Sequence, residues 1–167
     1  MGQNQKCIMD SSKRKYLIEN KQSIISRYRF NQSLPIFIDE VKSFVEGEIY
    51  DDCFVHNSSE ADYHIARFKQ LKPFFWATIH FSDLFKFKES IRKTFPLLWI
   101  KPFLIRTERS EHCYMYRISS LDSFNWAFPF EVNEGILSLL SEDFLYEIIL
   151  DWYEEDDVEM VDVLIKR

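Results

Sequence analysis

Residues 146–165 hold two runs rich in β-branched and aromatic side chains, YEIILDWY and VEMVDVLI, with the carboxylates EEDD between them. Such runs favour extended chain, and the short polar spacer lets the second fold back on the first. A C-terminal β-hairpin with an acidic turn is the expectation, with a helix through 141–153, opened by Ser141 and Glu142, as its competitor. In the hairpin, Asp151, Glu154, Glu155, Asp156, Asp157, Glu159 and Asp162 gather at one end and along one exposed face. Trp152 and Tyr153 sit beside them, so the carboxylates belong to a folded surface.

Upstream, the periodicities alternate between helix and strand. Leu17, Ile18, Ile24, Ile25 and Tyr28, with Lys and Arg between them, predict a loose amphipathic helix over 11–29. A second helix is predicted over 33–46. There Ser33 can cap, Pro35 occupies the first turn, and Leu34, Phe37, Ile38, Val41, Phe44 and Val45 share one face before Gly47 stops it. Residues 48–62 read as a loop, YHIARFKQL is ambiguous between helix and strand, and FFWATIHF (74–81) reads as a buried strand. Ser82 and Asp83 open another helix, carrying Leu84, Phe87, Ile91 and Phe95 on one side until Pro96 ends it.

LLWIKPFLIRT and CYMYRI flank ERSEH as a hairpin, with Pro102 confining its strand to an edge or splitting it. Residues 119–135 read as a loop with Phe124, Trp126, Phe128 and Phe130 at alternate positions, and Asn133–Leu140 as a short helix. Helices ahead of and between antiparallel strands predict one α+β domain over 1–167, with helices packed on an antiparallel sheet and a flexible N-terminus over 1–12. The 167 residues, 46% of them hydrophobic, are enough to bury a core of that size.

Composition removes several function classes. Three glycines leave little room for a phosphate-cradling loop, and neither a P-loop nor a dinucleotide-binding turn is present. No apolar stretch approaches the ~18 residues of a membrane span, and the polar MGQNQKCIMDSSKRK lacks the apolar run of a secretory signal. Its Met-Gly start, with Lys6 where myristoylation prefers Ser or Thr, reads as chance. Three widely spaced cysteines, Cys7, Cys53 and Cys113, fit reduced thiols better than a disulfide framework. A soluble, cytoplasmic protein is expected.

The net charge of −6 conceals a partition. Residues 1–117 hold nineteen Lys or Arg against fourteen Asp or Glu (+5), and residues 118–167 hold two against thirteen (−11). Asymmetry of this kind suggests a charged partner, although acidic residues also serve solubility.

The chemistries can be weighed in turn. DWYEEDDVEMVD has no central Gly and so fails as an EF-hand loop. Cys53 with His56, and His112 beside Cys113, lack a second ligand pair of zinc-like spacing, so no metal or cofactor is expected. No G-x-S-x-G or H-E-x-x-H occurs. An enzyme would have to assemble Cys53, Cys113, His56, His64, His80 and His112 by folding, and remains the alternative reading. KRKYLIENKQSIISRYR holds six basic residues with Tyr16 and Tyr28, a pattern suited to phosphates and bases, yet a pI near 5.3 opposes a polyanion. An adaptor subunit docking through the aromatic loop is a further alternative.

Carboxylates around aromatic anchors suit a basic protein: charge steers the encounter and rings fill pockets. A nuclease is such a partner, its site being lined with cations that hold phosphates. In overall character (small, acidic, aromatic-rich, glycine-poor and without a catalytic motif) the chain resembles the immunity proteins of bacterial toxin–immunity systems, including those of contact-dependent growth inhibition. That resemblance implies a monomeric or weakly dimeric, non-enzymatic inhibitor that neutralises one cognate toxin.

Overall fold

The computed structural model describes residues 11–129 and 135–167, with side chains from Lys15 onward. It is an α+β domain built on one seven-stranded antiparallel sheet. The elements are α1 (Ser11–Phe44), β1 (Phe54–His56), α2 (Ser59–Gln70), β2 (Phe75–His80), α3 (Leu84–Thr94), β3 (Phe103–Arg106), β4 (Tyr114–Ile118), β5 (Gly135–Ser141), β6 (Glu147–Glu155) and β7 (Val158–Lys166). The strands lie in the order β1-β4-β3-β5-β6-β7-β2. Of the flexible segment expected over 1–12, residues 1–10 lie outside the described chain, and Ser11 and Ser12 already belong to α1.

The two helices expected over 11–29 and 33–46 are one helix of 34 residues. Nothing at Asn31 or Gln32 breaks it, and Pro35, which cannot donate to the Asn31 carbonyl, lies mid-helix on the exposed side. The C-terminal half packs Phe37, Val41 and Phe44 into the core. Spacings of four and three residues keep the three on one stripe. Glu40, also buried on that side, accepts from Thr107 Oγ1 at 2.7 Å and ties α1 to the turn between β3 and β4. The N-terminal half, from Lys15 to Arg29, is exposed throughout. The helix ends at Phe44, where Asn125 donates to the Phe44 carbonyl from its backbone (2.9 Å) and to the Ser43 carbonyl from its side chain (2.8 Å). Gly47, at φ +99°, turns the chain just beyond.

Residues 119–129 form a plug with no ladder of their own. Phe124, Trp126 and Phe128 are all buried, so the alternation that read as a docking loop is core packing instead. Trp126 stacks on Trp99 with centroids 6.0 Å apart and donates from Nε1 to the Leu121 carbonyl at 3.0 Å. Three of the four rings on which the adaptor reading drew are therefore core residues. Phe130 lies outside the described residues.

Three other expectations are corrected, and the choice at Pro102 is resolved. Residues 135–141 form β5, not a short helix, because Leu137 and Leu139 face one core while Leu140 faces another. Asn133 and Glu134 lie outside the described residues. Pro102 does not put its strand at an edge but splits the run, with a 3-10 helix over Pro96–Leu98 ahead of it and β3 starting at Phe103 as an interior strand between β4 and β5. Residues 48–62 are not all loop: they contain β1 and the start of α2. There Ser58 accepts from the Ala61 amide at 3.1 Å and resolves YHIARFKQL as helix. Residues 75–80 are an edge strand with one face open, not a buried one.

The terminal hairpin is present and tighter than expected. β6 and β7 pair from Glu147↔Lys166 to Glu155↔Val158, leaving only Asp156 and Asp157 in the turn. Both have positive φ (52° and 63°), the geometry of the two-residue turns that match strand twist. Aspartate is among the few residues that tolerate it. The extended pairing excludes a helix through 141–153.

Candidate protein-binding face

The sheet has two faces, and they are covered unequally. One is sealed by α1, α3 and the aromatic plug over Phe103, Ile105, Leu137, Ile148, Leu150, Val161, Val163 and Ile165. On the other, α2 sets Ala61, Ile65 and Phe68 against Leu104, Met115 and Leu140, which covers the β1–β5 half. Beyond it, α2 touches β7 near its C-terminal end, where Lys166 Nζ donates to the Phe68 carbonyl at 3.0 Å, while Asp151, Tyr153, Asp162, Leu164, Trp76 and Thr78 stay half-buried or exposed. The open area is therefore made by the period-two alternation of three strands left without a partner layer.

Its centre is the register of β6 against β7. Asp151 faces Asp162 directly across the ladder, Tyr153 faces Met160, and Ile149 faces Leu164. β2 extends the area with Trp76 opposite Leu164 and Thr78 opposite Asp162. Trp76 is 64% exposed. Thr78 Oγ1 donates to Asp162 at 2.6 Å, and Tyr153 lies close enough to feel the same carboxylate's charge. Like charges directly opposite each other destabilise a sheet. Partial burial, and then the Asp162 charge, hold the Asp151 carboxyl above its ordinary range. Desolvation and the surrounding carboxylates likewise raise the Tyr153 hydroxyl. The arrangement is an anionic pair under internal repulsion, framed by aromatic and aliphatic side chains, and a cation placed between the two would relieve it.

The nine residues expected to meet a partner divide four ways. Asp151, Tyr153, Glu155 and Asp162 share the open face, while Asp156 and Asp157 form the turn. Glu154 and Glu159 are cross-strand partners on the opposite side, exposed because the core ends at Trp152 and Val161. The acidic residues thus lie at one end of the hairpin but not on a single face. Trp152 is not surface contact area. It is 4% exposed and packs edge-on against Phe128 (5.1 Å) and Phe44 (6.2 Å).

Trp76 escaped the sequence reading because FFWATIHF is apolar on both faces of the strand. The one signal was Thr78 and His80 following it at alternate positions. Toward α2 the open face becomes mixed in charge. A groove of about 540 Å³ there contains Lys69, Arg106, Arg109 and Lys166 together with Glu108, Glu111 and Glu147.

Among the described residues, the cysteines and histidines are not gathered at one site, and His112 lines the groove beside α2. Cys53 and His56 lie at the β1 edge, where His56 packs on Tyr114 at 4.5 Å. His80 lies on β2 at the other edge, six strand spacings or about 29 Å away. His64 stacks on Phe144 at 4.7 Å on the α2 side. Cys113 is buried and donates to the Arg109 carbonyl. Burial pushes its thiol up, the opposite of what a nucleophile needs. Among the described residues no three His, Cys, Asp or Glu side chains are grouped to hold a metal ion, and no helix is long and apolar enough to cross a membrane.

Comparisons with protein families, with curated proteins and with solved structures find no match for this chain.

Proposed function

We propose that this protein is a non-enzymatic inhibitor that binds a basic protein through the open face of β2, β7 and β6, as an immunity protein binds its toxin. One observation carries the reading: Asp151 and Asp162 stand side by side, repelling each other, on an uncovered sheet face rimmed by Trp76 and Tyr153. A fold that needed only solubility gains nothing from that juxtaposition. A lysine or arginine inserted between the carboxylates would exchange repulsion for two charge-assisted hydrogen bonds. The aromatic rings beside it supply the rigid apolar area typical of hot spots. The acidic turn at Asp156 and Asp157 adds long-range steering, which raises association rates by about 10–10³.

A toxin nuclease fits this chemistry, because the cations that hold its phosphates are what the carboxylates would occupy. The test is protection and binding against a toxin domain encoded beside this gene. Trp76→Ala and Asp162→Lys lie on the open face, and the fold should survive both, as judged by circular dichroism. Each should weaken binding at least tenfold and abolish protection. Folded variants that bind and protect like the wild type would sink the assignment of this face.

A further inference from the structure

Far from the acidic turn, the fold builds a site of the opposite sign. A cavity of about 800 Å³ opens where the C-terminal end of α2, the start of β2, the end of α3 and the 141–146 turn meet. Its apolar wall includes Phe74, Leu97 and Leu145, each at least half exposed, over Phe95 and Leu98. Three cations reach it from separate segments: Arg67 in the last turn of α2, Lys72 in the α2–β2 connection, and Arg167 after β7. No carboxylate side chain lines it. The 540 Å³ groove beside α2, by contrast, sets Glu108, Glu111 and Glu147 among its four cations, Lys69, Arg106, Arg109 and Lys166.

Among the described residues, Arg67, Lys72 and Arg167 join no ion pair. The Arg167 guanidinium lies 5.6 Å above the Tyr146 ring, which also lines the cavity. In a chain of net charge −6, three cationic side chains gathered without an acidic side chain raise a local positive potential over an apolar floor. The volume lies within the ~300–1,000 Å³ range of small-molecule sites.

We infer that this cavity binds a small organic anion with an apolar body, of the kind represented by a medium-chain carboxylate. Arg67 and Lys72 receive the anionic head, and Phe74, Phe95 and Leu97 receive the chain. The cavity sits at the Arg167 end of β7, a full strand of about 30 Å from the hairpin turn, so the inference does not rest on the protein-binding reading.

The experiment is calorimetric titration of the full chain with dodecanoate below its micellar concentration, beside dodecanol and dodecyltrimethylammonium. Saturable 1:1 binding of dodecanoate is expected, at least about tenfold tighter than the alcohol, since a charge-assisted contact contributes that much. The cationic homologue should bind weakest. The double variant Arg67→Gln, Lys72→Gln alters exposed side chains and should keep the melting temperature while erasing the preference for acid over alcohol. Leu97→Asp, also at an exposed position, should weaken dodecanoate and dodecanol together. Equal affinity for the three head groups would overturn the inference, as would a double variant that keeps the preference or the absence of saturable dodecanoate binding.

Discussion

Two neighbouring aromatic residues on β6 should separate stability from binding. Trp152→Ala removes an indole that is 4% exposed and in edge contact with Phe128 and Phe44. Deleting a buried tryptophan costs about 3–5 kcal/mol. The lower end applies here, because Trp152 Nε1 is buried without a hydrogen-bond partner among the described residues, and removing an orphaned donor recovers part of the loss. A cost of about 3 kcal/mol lowers the melting temperature of a domain this size by roughly 6–12 °C. Trp152→Phe retains the ring contacts, discards the orphaned N–H, and should stay within about 1 kcal/mol of wild type by the same reasoning. Tyr153→Ala, one position along and on the other face, loses a partly exposed ring beside the Asp151 and Asp162 carboxylates. It should cost about 1 kcal/mol of stability, yet weaken partner binding by roughly 2 kcal/mol or more, about thirtyfold. Thermal denaturation followed by circular dichroism gives the first quantity and titration calorimetry against the toxin domain the second. A Trp152→Ala protein melting within about 2 °C of wild type would refute the placement of that ring in the core.

Two further perturbations probe the sheet and the long helix. The Asp151 carboxyl is raised above 3.8 in the folded protein by burial and by Asp162, so the folded state holds that proton more tightly than the unfolded chain. Stability is therefore lost as pH rises from about 3.8 through the raised value. Asp151→Asn should raise the melting temperature by about 1–2 °C at pH 7, where cross-strand repulsion of about 0.5 kcal/mol is relieved, and have no effect at pH 3. An equal shift at both pH values would mean repulsion is not the cause. Pro35→Ala should stabilise α1 by about 2 kcal/mol, the interior-proline penalty of about 3 less the entropy proline removes from the unfolded chain. A fall in melting temperature with unchanged helical circular dichroism would show that the proline serves the packing of α1.

The local alphabet of this chain was legible where a single period dominates. Phe37, Val41 and Phe44 at helical spacing, Leu84 with Ile91 on α3, and the twin runs around the acidic turn each specify an element from neighbours a few residues apart, because backbone geometry sets those periods. The acidic end of the hairpin was legible for the same reason. Which face of an element meets a second layer depends instead on partners distant in sequence. FFWATIHF is apolar on both faces, and only its pairing with β7 at the sheet edge leaves Trp76 bare. Phe124, Trp126 and Phe128 alternate as strand residues do, yet α1 and Trp99 turn them into a plug. The division of Trp152 from Tyr153 required the register against Val161 and Met160, and the cavity of Arg67, Lys72 and Arg167 draws on segments up to a hundred positions apart. Sequence by itself determined the elements in which one period dominates, and the sign of their charge. Tertiary structure decided which surfaces stay open, since burial follows from what packs opposite, and that pairing has no local period.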